Sequence, residues 1–337
     1  MYKDIVFLDG VDDDFCQTVI NFIEEWESYS TFISISSSGT TGTPKTIEFS
    51  KKQVETSARK TGQFFNFKKG ETVLLNLSPK FVAGKLMIVR AILHEMKIVV
   101  APLNSNPLKG ITLLDEIKFG AFVPYQVLEI LKDDASKLAY EKIKNVIIGG
   151  AEISRELEKQ IAQLSNKNYA TFGMTETLTH FALRLIDGKT DFYSCLPGIS
   201  INKDERGCLT IEPNDILPER LVTNDCIELI DNNHFKWKGR IDNVINSGGV
   251  KIFPETDEKI MEHLFEENRF YLSSKKSEKF GKEIILILEG NIWDEIRQQN
   301  ILSEIKKLIP EYHAPKSILF LDKFEETGNG KIIRKKF

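Results

Sequence analysis

An α/β fold built of two unequal lobes is what this sequence predicts, on three observations. The chain has 337 residues, more than the roughly 250 to 300 at which a single core stops growing, so two domains are expected. From "STFISIS" (30–36) onward, β-branched runs alternate with helical periodicity, the order of parallel strands joined by right-handed helical crossovers. After residue 190 the helices thin out in favour of short strands, and a small α+β unit follows. The expectation is a large lobe, residues 1–239, with mostly parallel sheets flanked by helices and a β-rich end. A small α+β lobe, residues 240–337, completes the chain.

The alternation runs "TVLLNLS", "PKFVAGKLMIVRAILHEM", "KIVVAP", "GITLLDEIKF", "GAFVP", "YQVLEILKD", "NVIIGGAE". In such sheets ligands bind beyond the carboxyl ends of the strands. The loops "GGAEIS" and "FGMTET" each follow a run that reads as a strand, so chemistry is expected there. Short strands come next in "GCLTIEP" and in "RLVTNDCIELIDNNHFKWKGR", with its Asp-Asn-Asn turn. The small unit holds "GRIDNVINSGGVKIF", a helix "PETDEKIMEHLFEE", two strands around "EIILILEG" and a helix "DEIRQQNILSEIKKLI".

Composition excludes several classes. Hydrophobic residues at 41% and charged residues at 28% rule out wholesale disorder. A net charge of -4 gives no general attraction for nucleic acid, so any anion site is local. The start, "MYKDIVFLDGVDDDF", places acids where a signal peptide needs an apolar run. No stretch approaches the ~20 apolar residues of a membrane span, and a cytoplasmic protein is expected. Cys16, Cys195, Cys208 and Cys226 lie far apart in sequence, without C-x-x-C or zinc-site spacing, and read as reduced bystanders.

The stretch "SISSSGTTGTPKTIEF" (34–49) packs hydroxyls, glycines and one lysine together. It is not the phosphate loop G-x-x-x-x-G-K-[ST]: counted from Gly39, Pro44 stands where glycine is required and has no N–H to donate. "TIEF" reads as a strand, and the helix starts later, at the capping-box pair Ser50 and Gln53, with Val54, Ala58, Thr61 and Phe65 at helical spacing. What remains is a loop in which Ser36, Ser37, Ser38, Thr40, Thr41, Thr43, Gly39 and Gly42 can turn donors onto a polyanion, with Lys45 as a point charge. A solvated Ser/Thr/Gly turn has the same composition.

The order of residues in "SSSGTTGTPK" resembles the phosphate-binding loop of the adenylate-forming superfamily, which includes acyl-CoA synthetases and peptide-synthetase adenylation domains. Three further motifs of that family follow in order: "FGMTE" (172–176), "GRIDNVINSGGVKIFP" from Gly239 and "TGNGKIIR" (327–334). The resemblance implies a two-step reaction. A carboxylate attacks the α-phosphate of ATP, giving an acyl-adenylate and pyrophosphate, and a thiol then displaces AMP. ATP, Mg²⁺ and CoA are the implied cofactors.

Residue roles follow by the same resemblance. Thr175 binds the α-phosphate and Glu176 helps hold Mg²⁺; Phe172, Gly173 and Met174 belong to the same motif. Gly149, Gly150 and Ala151 flank adenine. Asp225, in "VTND" where the family usually has T-G-D, takes the ribose hydroxyls with Arg240; Asn224 replacing glycine alters the turn. Lys331 supplies an ammonium during adenylation, whereas Arg334, Lys335 and Lys336 read as a solvated tail. Asp242 is the hinge about which the small domain rotates, and Ser247, Gly248 and Gly249 then meet the thiol channel.

Two departures narrow the expectation. Family members usually carry a much longer segment before the phosphate loop, so a shortened N-terminal subdomain is expected. The acyl-pocket segment "LSPKFVAGKLMIVRAIL" (77–93) carries Lys80, Phe81 and Lys85 where an aromatic or histidine usually follows the proline. In this it resembles bacterial 2-succinylbenzoate:CoA ligases of menaquinone synthesis, whose substrate bears two carboxylates. An extra cation there suits the second one, although both lysines also fit a solvated helix face. The alternatives are an adenylation enzyme that loads another acid onto CoA or an acyl carrier protein, and a non-catalytic nucleotide-binding module.

Overall fold

The computed structural model describes residues 2–36, 46–113, 116–265, 268–277, 281–326 and 332–337. Twelve strands form one continuous sheet. Its parallel half runs in spatial order Ile5–Phe7, Lys97–Val100, Thr72–Leu75, Ile117–Phe122, Ile143–Ile148 and Lys167–Gly173. The antiparallel half continues through His180–Leu185, Tyr193–Cys195, His234–Arg240, Leu221–Asp231, Cys208–Ile211 and Ile201–Lys203.

Successive residues of the parallel strands serve two cores. Val73, Leu75, Ile98 and Val100 face helices Asp13–Glu27, Lys51–Phe65 and Val82–Leu93, whereas Leu74, Val99, Val146 and Ile148 face helices Pro124–Leu131, Asp134–Glu141 and Arg155–Ile161. Burial on both faces is why these strands read as near-continuous apolar runs. Where the alternation makes "GITLLDEIKF" and "GAFVP" successive elements, Ile117–Phe122 is a single strand running across both.

The segment after the hydroxyl-rich loop folds as its residues indicate. Thr46–Ser50 is a strand, antiparallel to Phe32–Ser36, and helix Lys51–Phe65 starts from a capping box: the Gln53 N–H donates to Ser50 Oγ, and the Ser50 N–H donates to Gln53 Oε1 at 3.0 Å. A cap of this kind is worth about 1 kcal/mol. The helix buries Val54, Ala58, Thr61 and Phe65, the positions its spacing selects.

From residue 245 onward a separate core forms. Strands Phe270–Ser277, Gly281–Glu289 and Ser317–Leu321 make a three-stranded sheet. Helices Pro254–Met261 and Glu295–Leu308 contribute Met261 and Ile305 to a cluster with Ile245, Ile252, Leu272 and Leu286. All these residues come after Gly239. The cysteines are reduced, as expected: all four are free thiols, and Cys208 and Cys226, distant in sequence, pair across strands with their sulfurs 3.8 Å apart. One sequence expectation is corrected. Arg334 is no solvated tail residue: both its terminal nitrogens donate to Glu258 at 2.6 Å, and the pair is largely buried. Burial opposes its charge, but the Glu258 carboxylate raises the Arg334 pKa above the usual arginine value.

Candidate active site

The carboxyl ends of strands Ile143–Ile148 and Lys167–Gly173 open onto a cavity of about 710 Å³ whose walls include Ala151, Thr171, Phe172, Tyr193 and Trp237. Gly149 and Gly150 form the turn beside it. A Cβ at Gly149 would collide with the Thr171 hydroxyl, and Gly150 has φ +85°, a conformation that favours glycine. A flat ring can therefore lie against backbone here. Phe172 is held edge-on by Tyr193 and Phe235, with centroids 5.2 and 5.3 Å away, which fixes the opposite wall.

Trp237, which sequence reasoning did not single out, ties the cavity to Asp225. Its indole N–H donates to Asp225 Oδ1 at 3.0 Å, and the Asp225 N–H donates to Thr223 Oγ1 at 3.1 Å. Asp225 and Arg240 are register partners on neighbouring strands, with Arg240 Nη1 3.8 Å from Asp225 Oδ2. An aspartate with one oxygen committed to an indole and an arginine beside the other presents both an acceptor and a donor to a diol. Asn224, in the place of the family's glycine, donates from Nδ2 to both Asp242 carboxylate oxygens at 3.3 Å, so it reaches the expected hinge residue. Arg240 Nη2 donates to Asp242 as well, at 3.1 Å.

"FGMTET" leaves its strand through a 3₁₀ turn, Thr175–Thr177, followed by Leu178 at φ +65°. The buried Thr177 hydroxyl locks the turn: it accepts from the Met174 N–H at 3.1 Å and lies 2.9 Å from Met174 O and 2.7 Å from Thr179 O. Gly173 has no room for a Cβ against the Thr179 carbonyl and the His180 backbone. Glu176 is exposed and has no hydrogen bond or ion pair among the described residues. One free carboxylate beside bound phosphates is a donor set that suits Mg²⁺, which keeps several waters and takes few protein ligands. Ser37, Ser38, Gly39, Thr40, Thr41, Gly42, Thr43 and Lys45 lie outside the described residues, as does Lys331. The flanks of both stretches are antiparallel partners, Ser36 with Thr46 and Glu326 with Ile332.

Of the residues expected at the acyl pocket, Lys80 and Phe81 are exposed at the start of helix Val82–Leu93. Lys85 is engaged elsewhere: it donates to the Ser34 carbonyl at 3.1 Å, lies 3.7 Å from Glu25 Oε2 and stacks on Phe22. The cation buried in this helix is Arg90, 1% exposed, which sequence reasoning missed. Among the described residues its Nε and Nη2 have no hydrogen-bond partner and Nη1 reaches only Met87 Sδ at 3.6 Å, while its guanidinium lies 5.9 Å from the Phe119 ring. Burial pushes its pKa down to about 9. It sits close enough to His180 to help burial hold that imidazole neutral, its pKa well below the ordinary value. His180 is the register partner of Gly173, so Arg90 lies behind the "FGMTE" turn. The signal was a lone arginine inside the apolar run "LMIVRAIL".

In the small unit, Ser247 pairs with Val250 across a hairpin whose turn residues Gly248 and Gly249 have φ +56° and +83°. Ser247 Oγ donates to the Lys282 carbonyl at 2.7 Å. Ser247, Gly248 and Val250 line a second cavity of about 390 Å³ with Tyr312 and Lys316.

Residues 24–201, more than half of the chain, match the family model described as AMP-binding enzyme. This chain belongs to the AMP-binding enzyme family. Within that family it is similar to an acyl-CoA synthetase (AMP-forming)/AMP-acid ligase II-like protein from Dyadobacter fermentans, whose crystal structure superposes with a TM-score of 0.67 at 32% identity, covering 96% of this chain and 94% of that one. It is 25% identical to the 2-succinylbenzoate–CoA ligase of Lactococcus lactis, over 94% of this chain and 75% of that protein. The o-succinylbenzoate CoA synthetase of Bacillus subtilis, solved with its acyl-adenylate intermediate, shares the fold: TM-score 0.71 at 17% identity, over 89% of this chain and 67% of that one. The chain is thus an AMP-forming acid:CoA ligase, a class that uses ATP, Mg²⁺ and CoA. Among the described residues no helix is long and apolar enough to cross a membrane.

Proposed function

We propose that this chain is a 2-succinylbenzoate:CoA ligase of menaquinone biosynthesis. The observation that carries the choice of acid is Arg90. A guanidinium buried in an apolar helix with two nitrogens unpaired costs several kcal/mol unless an anion completes it. A substrate with one carboxylate to activate and a second to be held fits that demand, since a carboxylate can bridge Nε and Nη2 of one fork. The two relatives that act on 2-succinylbenzoate support the same reading.

In this reading the 37–45 loop cradles the β- and γ-phosphates, Gly149, Gly150, Ala151 and Phe172 enclose adenine, and Asp225 with Arg240 takes the ribose diol. The aliphatic carboxylate attacks the α-phosphorus, the bond to the bridging oxygen breaks and pyrophosphate leaves. Thr175 and Lys331 steady the charge that develops there. Glu176 would hold Mg²⁺, which when bound neutralises phosphate charge. The small unit, residues 240–337, then turns about Asp242, bringing Ser247, Gly248 and Gly249 to the thiol. The sulfur of CoA attacks the acyl carbon and AMP leaves.

Pyrophosphate release is measured with ATP, Mg²⁺ and a panel of mono- and dicarboxylic acids, with and without CoA. Release that depends on 2-succinylbenzoate, with a thioester product only when CoA is present, is the expected result. A preference for a monocarboxylic acid would overturn the assignment of the acid, and thioester formed only on an acyl carrier protein would overturn that of the thiol.

A further inference from the structure

Between the large lobe and the small unit, along the wall of the cavity described above, lies an ionic clasp to which the chemistry above assigns no role. Glu158, on helix Arg155–Ile161, accepts through one oxygen from Arg184 Nη2 at 2.5 Å and from Lys259 Nζ at 2.9 Å. Arg184 belongs to the large sheet and Lys259 to helix Pro254–Met261 of the small unit. On the same helix the Arg155 N–H donates to Glu262 Oε2 at 2.7 Å, and Arg155 Nη1 donates to the Ile260 carbonyl at 3.1 Å. Glu158 and Arg184 are mostly buried and Lys259 is partly so. In this arrangement Gly248, Gly249 and Val250 are exposed, and a Cβ built on Gly249 meets nothing within 4 Å.

We propose that Lys259 and Glu262 are positioning residues: they clasp the small unit to helix Arg155–Ile161 with the glycine hairpin turned to solvent, and the clasp must open before thioester formation. The inference rests on the reading of the small unit as a rotating lid. In this arrangement the hairpin borders the small unit's own second cavity and contributes nothing to the cavity at the strand ends, so the clasped arrangement is the one that serves adenylation. Because Glu158 keeps Arg184 when Lys259 lets go, opening leaves no charge stranded in the large lobe. The contacts are partly exposed and therefore worth little individually, as suits a reversible catch.

Lys259→Met removes the lid-side charge and keeps the aliphatic stem. The expected result is a fall of about threefold in acid-dependent pyrophosphate exchange. Thioester formation from supplied acyl-adenylate should be unchanged or faster, and Lys259→Arg should restore exchange. Hydrogen exchange should quicken in 155–161 and 254–264 alone, and raising salt should reproduce these effects in the unaltered protein. Unchanged hydrogen exchange in both segments, or equal loss of both half-reactions, would overturn the proposal. An unaltered protein that releases no pyrophosphate with any acid would strike the functional reading instead, and hydrogen exchange would still decide the clasp.

Discussion

Replacing Arg90 by methionine deletes the buried cation and keeps an unbranched stem of similar reach. Burial lowers its pKa from the usual arginine value to about 9, which corresponds to about 5 kcal/mol against the folded state wherever the group is charged both folded and unfolded. Because the folded value is the lower one, this penalty is complete below about pH 9 and fades only as the pH climbs toward the usual arginine range. The Phe119 ring at 5.9 Å offsets about 2 kcal/mol through its negative face. The substrate-free Arg90→Met protein should therefore be more stable by about 3 kcal/mol, a rise of roughly 4 °C in Tm for a chain of this size. Catalysis should move the other way. A buried carboxylate that loses its charged partner forfeits about 2 to 5 kcal/mol, so kcat/KM for 2-succinylbenzoate should fall at least about 30-fold. The analogue that lacks the ring carboxylate should be used as well as before. Calorimetry of the free protein and pyrophosphate release with both acids test the two halves. A variant that is less stable and equally impaired on both acids would show that Arg90 supports the core rather than the substrate.

Other perturbations bear on separate parts of the molecule. Arg334→Met should destabilise the small unit by about 3 kcal/mol, because Glu258 is left buried and unpaired; hydrogen exchange in Phe270–Ser277 reads this, and Lys336→Ala should not alter it. His180 is held neutral by burial and by Arg90, so the unfolded chain takes up a proton that the folded one refuses. Stability should fall as the pH drops below about 6.5, by up to ~1.4 kcal/mol per pH unit from this residue, and His180→Gln should remove that share of the slope in urea titrations. Gly149→Ala should raise KM for ATP about tenfold by pushing the Thr171 hydroxyl toward the ring site. Adding Thr171→Ala should recover most of the loss, and failure to do so would place adenine elsewhere.

What could be read in the sequence was local. Ser50 and Gln53 announce a helix start through contacts three residues apart, and "TIEF" and "NVIIGG" carry their own strand chemistry. The loops after Ile148 and Gly173 could be placed because the ends of parallel strands are where ligands sit. What stayed hidden depends on partners distant in the chain. Arg334 looks like a tail until Glu258, 76 residues earlier, turns up beside it. Cys208 and Cys226 read as strangers because only the register of two antiparallel strands brings them together. Lys85 suggested itself as the acyl-pocket cation because its helix position was visible, while Glu25 and the Ser34 carbonyl that engage it were not. Arg90 was overlooked because a single arginine in an apolar helix looks like an ordinary interruption until its neighbours prove unable to satisfy it.

The pairing of Asp225 with Arg240 has one more consequence. The chain leaves the great sheet at Arg240, directly opposite the Asp225 carboxylate, and Asp242 follows two residues later. Under the proposed function, pivot and sugar clamp are thus neighbours at one end of this hairpin, and news of an occupied nucleotide pocket has almost no distance to travel. A slip of a single residue between Leu221–Asp231 and His234–Arg240 would turn Arg240 to the opposite face and move the exit point with it. Lengthening the Asn232–Asn233 bend, at the far end of the same hairpin, would leave both in place.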